Sequence, residues 1–85
     1  MRLERIEVES RDEYRDGEEP RGFVWREESF RIAKILDRWY EGSMDARRMA
    51  LRYFKVETVG GGTFILRYHE TFRSWSIVAP VEAGE

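Results

Sequence analysis

Tyr53-Phe-Lys-Val-Glu-Thr-Val59, then Gly60-Gly61-Gly62, then Thr63-Phe-Ile-Leu-Arg-Tyr68, and after a polar break Ser74-Trp-Ser-Ile-Val78, is the stretch that decides the fold. β-branched and aromatic residues fill the three segments, and such side chains suit a pleated, half-buried surface. Phe64 and Leu66 face opposite to Ile65 in the period-two pattern of a strand. The glycine triplet joins two strands, so it supplies the positive φ of a hairpin turn. A phosphate cradle would place its glycines between a strand and a helix N-terminus, usually with Gly-Lys-Ser/Thr, and neither feature is present. His69–Arg73 is read as the connection to a last strand, Ser74–Ala79, which Pro80 stops.

Working outward from this meander, Leu3–Glu9 places Ile6 and Val8 on one side and Glu7 and Glu9 on the other. This is a first strand, and its charged face suits an edge. The polar stretch 10–19 ends in Asp16-Gly17 and Pro20, which mark a loop, or a tight turn beside a short strand around Tyr14. From Arg21 to Arg26, Phe23 and Trp25 share a face and Val24 takes the other. Glu27-Glu28-Ser29 is read as the connection to an extended run beginning at Phe30. Ile32, Ile35, Leu36, Trp39 and Tyr40 fit helical spacing as well, so strand and helix compete over residues 32–40. A strand bulged near Ile35-Leu36 accounts for the same residues, because a bulge switches the face that later side chains occupy. Gly42-Ser43 ends the element, and Ser43 suits the cap of a helix of one or two turns, since Ala46, Met49, Ala50 and Tyr53 recur at helical spacing, before the chain becomes extended near Arg52.

The expected fold is therefore mostly β: one small domain with a five- or six-stranded twisted antiparallel sheet, closing toward a small barrel-like meander with at most one short helix. The domain is read as 1–85, with a structured core of about 3–79 and a frayed tail over 80–85. The chain has 85 residues and 14% aromatics, and large rings let so short a chain build one core. The absence of Cys excludes disulfides and thiolate zinc sites. The charged N-terminal segment lacks the apolar region of a signal peptide, and no apolar run reaches the ~18 residues of a spanning helix. A cytoplasmic, non-membrane protein is the expectation.

Charge is unevenly spread although the net is only -2. Residues 1–28 hold six Arg against ten acids, whereas residues 29–76 hold nine Arg and Lys against five. Thirteen of the fifteen cations are Arg, the residue that bonds carboxylate and phosphate in a planar fork and stacks on rings. The carboxylates of 9–19 lack the spacing of a calcium loop and are read as a solvated acidic segment. His69, the single histidine, stands beside Glu70 with neither a partnered nucleophile nor a second metal-ligating His. No enzyme, metal site or cofactor is expected. Trp25 and Trp75 are assigned to the core, whereas Trp39-Tyr40, beside a glycine and outside the tidy alternation, suits an exposed anchor. The candidate binding surface is Trp39, Tyr40, Arg31, Arg52, Lys55, Arg67 and Arg73.

The series Pro20-Arg-Gly-Phe-Val-Trp25-Arg26, Phe30-Arg-Ile32, Ile35-Leu36-Asp37-Arg38-Trp39, Tyr53-Phe-Lys-Val56-Glu57 and Trp75-Ser-Ile77 resembles a family of short bacterial domains of unknown function. The family occurs alone or at the C-terminal end of the catalytically inactive Y-family polymerase homologue of bacterial mutasomes. The likeness covers about residues 20–78, and its motifs are hydrophobic. This chain departs from the pattern in having Glu27-Glu28 where the turn often holds glycine, and no tryptophan pair over Met44–Met49. The resemblance implies an accessory role near DNA repair or replication rather than catalysis. Two functions follow as expectations: a non-enzymatic module that docks on a protein partner, because interfaces enrich Trp, Tyr and Arg, or a single-stranded nucleic-acid-binding module on the arginine–aromatic surface. A homodimer through an unpaired edge strand is a further expectation.

Overall fold

The computed structural model describes residues 2–11, 19–42 and 50–79. Six strands follow one another: β1 (Arg2–Arg11), β2 (Glu19–Trp25), β3 (Glu28–Glu41), β4 (Leu51–Thr58), β5 (Thr63–His69) and β6 (Ser74–Ala79). Each pairs antiparallel with the next, and β6 returns to β1, so the meander is a closed barrel. No helix occurs among the described residues. The short helix expected after Ser43 and the turn expected around Tyr14 lie outside them, as does the 80–85 tail.

Closure corrects the reading of β1 as an edge. Its first half, Arg2–Ile6, pairs with β6, and its second half, Glu7–Arg11, pairs with β2. β3 is divided in the same way: Glu28–Arg31 pairs with β2 and Ile32–Glu41 with β4. Two strands that each change neighbours midway turn a flat sheet into two crossed layers. Alternation supplied both layers with an apolar face, and charged outer faces told against burial of the edges but not against their pairing.

Residues 32–40 are strand, so the helical spacing there is coincidental. β3 slips register at Ala33 and again at Leu36, where one residue is left over opposite β4. The expected bulge near Ile35-Leu36 is one of these two. The turn between β2 and β3 is tighter than expected: Trp25 pairs with Glu28, leaving Arg26-Glu27 as a two-residue turn. Both have positive φ, 53° and 67°, the requirement of a type I′ hairpin. This is where glycine would sit without strain. Arg26 offsets the strain by bonding Glu4 Oε2 at 2.7 Å and stacking its guanidinium 4.5 Å above the Trp25 ring. Glu4 also accepts the Trp25 indole N–H at 2.8 Å, so one β1 carboxylate fastens the β2–β3 turn.

The core is Ile6, Phe23, Phe54, Val56, Leu66, Trp75 and Ile77. Phe23, Trp25, Phe30 and Phe64 form an aromatic group at one end, with Phe23 and Phe30 stacked at 5.0 Å. Phe54, Tyr68 and Trp75 form another toward the opposite end. Trp75 is core as expected; Trp25 is half-buried and packs against the core. Val59–Gly62 closes the β4–β5 hairpin, with Gly61 at φ 99° and its N–H donated to the Thr58 carbonyl at 2.8 Å. That bears out the hairpin role of the glycines.

Candidate functional site

At fourteen residues β3 is the longest strand, and its last six are all exposed. It pairs there with the start of β4, which is held on its other side by β5. Register settles which face each side chain takes. Phe54 is buried, so its partner Arg38 faces inward, and so do Tyr40 and its partner Arg52, two residues along each strand. Trp39 and its partner Tyr53 face outward. The Leu36 bulge sets this parity.

On the inward side lies a groove of about 290 Å³, lined by Glu19, Arg38, Trp39, Tyr40, Arg52, Tyr53 and Phe54. Tyr40 is 61% exposed and its ring lies over Gly42, where a Cβ would meet the ring at 2.6 Å. The adjacent glycine thus gives the ring its seat. The groove's arginines are held by acids: Arg38 bonds Glu19 at 2.9 Å, and Arg52 pairs with Glu70. Arg38 also lies 5.9 Å from the Phe54 ring centre. An ion-paired arginine over a ring presents a flat, weakly hydrated surface suited to protein contact.

On the outward side Trp39 stacks on Tyr53, rings 3° from parallel and 5.2 Å apart. The Tyr53 hydroxyl donates to Glu41 at 3.0 Å. Burial, then this bond to a carboxylate, pushes the Tyr53 pKa up, while Arg67 opposes the shift. Lys55 and Arg67 share this outer face with Trp39.

The seven expected surface residues therefore divide. Trp39, Lys55 and Arg67 gather on the outer face, and Tyr40 and Arg52 on the inner one. Arg31 lies elsewhere, opposite Gly22 in the other layer, and Arg73 in the β5–β6 turn at φ 51°. Arg38, Tyr53, Phe54 and Glu19 were not foreseen. Tyr53 and Phe54 were read as strand residues, and only the β3–β4 register shows that they stand opposite Trp39 and Arg38. His69 is a structural residue of the turn: its Nδ1 accepts the Phe72 N–H at 3.2 Å and its ring stacks on Phe72 at 4.5 Å. Among the described residues no cluster of His, Cys, Asp or Glu is suited to a metal ion, and no helix is long and apolar enough to cross a membrane.

The fold defines a small antiparallel β-barrel domain whose longest strand ends in an exposed, aromatic-bearing segment. The chain belongs to a family described as a domain of unknown function (DUF6504), whose model matches residues 2–79. Comparison with curated proteins and with solved structures finds no match.

Proposed function

We propose that this domain is a non-enzymatic interaction module that docks on a protein partner through the β3–β4 hairpin, with Tyr40 as its anchor. The observation that carries this reading is the inward groove: an exposed tyrosine and a phenylalanine floor beside arginines already neutralised by Glu19 and Glu70. Paired arginines offer a phosphate chain little charge, whereas a desolvated aromatic anchor ringed by satisfied polar groups is the anatomy of a binding hot spot. The resemblance supplies the setting, an accessory domain of bacterial assemblies for DNA repair or replication, in the cytoplasm, either alone or at the end of a larger chain.

The test is retention of partners from native cells by the tagged protein, compared with Tyr40→Asp and with Val59→Asp at the opposite hairpin. A discrete partner kept by wild type and Val59→Asp but lost from Tyr40→Asp supports the reading. A set of retained proteins unchanged by Tyr40→Asp contradicts it.

A further inference from the structure

The outward face of the same sheet carries a different pattern. Register aligns Trp39 with Tyr53, Tyr53 with Arg67, Arg67 with Ser76, and Ser76 with Arg5. One cross-strand row thus spans five strands, and with strands ~4.8 Å apart it is roughly 19 Å long measured along the curved sheet. Two stacked rings stand at one end, and two guanidinium groups flank a hydroxyl at the other. Lys55 lies one position along the sheet, diagonal to Arg67.

The charges of this row differ from those of the groove. Arg38 and Arg52 of the groove are each paired with a carboxylate. Arg5, Lys55 and Arg67 make no ion pair with any described residue. The same face also carries acids: Glu41 accepts from Tyr53, Glu57 pairs with Lys34 at 3.7 Å, and Asp37, across from Lys55, accepts the Arg38 N–H at 2.8 Å. Arg67 Nε is shielded from solvent and meets no acceptor among the described residues.

We infer that this row is a binding site for single-stranded nucleic acid. A base stacks on the open face of Trp39, which is 40% exposed, and the following phosphates lie along Arg67, Ser76 and Arg5, with Lys55 beside them. Arg5, Lys55 and Arg67 offer three cations without an ion pair among the described residues to the phosphates, and sheet faces bearing rings and cations bind single strands in this manner. The row lies on the opposite face from Tyr40, although Trp39 and Tyr53 also border the Tyr40 groove; its cations Arg5, Lys55 and Arg67 do not, so the charge variants test the row separately.

The test is fluorescence anisotropy with a labelled single-stranded oligonucleotide of about 12 nucleotides, at rising salt. Three cations predict a log–log salt slope of about −2, because each phosphate neutralised on a single strand contributes about −0.7. Arg5→Gln, an exposed change that leaves the core intact, lowers the steepness by about 0.7. Trp39→Ala weakens binding about tenfold. Arg31→Gln removes the same charge from the other layer and leaves affinity and slope as they were. Absence of binding at low salt, a flat salt response, or equal losses from Arg5→Gln and Arg31→Gln would overturn the assignment and leave the row to a protein surface.

Discussion

Closure of the barrel by β1 makes Ile6→Ala the most telling single substitution. Ile6 is 7% exposed, and its pair with Trp75 is the last that β1 makes with β6 before the strand changes partner. Truncation to Ala removes three carbons, worth about 2.4 kcal/mol at ~0.8 kcal/mol per buried methylene. The cavity left against Trp75 adds to this, so the expected loss is about 3 kcal/mol, within the usual range of about 2–5. A domain of this size loses about 4–8 °C of Tm per kcal/mol, so Tm falls by at least about 12 °C. The assay is urea unfolding followed by tryptophan fluorescence, with Leu3→Ala as the control. Leu3 lies on the same strand with 37% of its surface exposed, and its loss is expected to stay below about 1 kcal/mol. If Ile6→Ala costs less than about 1 kcal/mol, or if both variants cost the same, β1 does not close the core and the argument fails.

Glu27→Gly relieves a left-handed backbone at φ 67°. The strain of about 1–2 kcal/mol exceeds the ~0.4–1 kcal/mol of unfolded-state entropy that glycine brings, so a gain of about 0.5 kcal/mol and a slightly higher Tm are expected, and a lower Tm contradicts the turn assignment. Glu4 is held at a pKa of about 2, below its ordinary 4.5, chiefly by its bonds to Arg26 and then to Trp25. A depressed carboxylate pKa stabilises the fold above its unfolded value and loses that contribution as pH falls. Urea midpoints should therefore decline between pH 4.5 and about 2 less steeply in Glu4→Gln than in wild type; parallel profiles would remove the carboxylate clasp from the account.

Local pattern made much of this fold legible. Alternation put Phe23 on the face opposite Val24 and Leu66 opposite Ile65, Trp75 was assigned to the core, and the glycines located the β4–β5 hairpin. The bulge near Leu36 was readable because helical spacing within a β-branched run needs some such device. Closure toward a small barrel was expected and is found; the way it is reached was not readable, since it rests on β1 and β3 changing neighbours midway, a property of strand length and twist rather than of any residue. The Arg26-Glu27 turn was missed by one residue because neither side chain advertises positive φ; the compensation lies in Glu4, twenty-two positions away.

The candidate surface was half legible for the same reason. Trp39 and Tyr40 stood out as aromatics beside a glycine, and the structure exposes both. Their separation onto two faces, and the company of Tyr53, Arg38 and Arg5, depends on cross-strand register. Selecting arginines by charge alone gathered Arg31 and Arg73, which lie away from the hairpin, and missed that Arg52 is spoken for by Glu70.

The hairpin's role is tested most directly by placing a photo-crosslinking aromatic amino acid at position 40, and separately at position 59, in the protein within its native cells. Crosslinking from position 40 to one discrete partner, lost on Arg38→Glu and absent from position 59, is the predicted result. Crosslinking that is equal from both positions, or confined to position 59, would contradict docking through the β3–β4 hairpin.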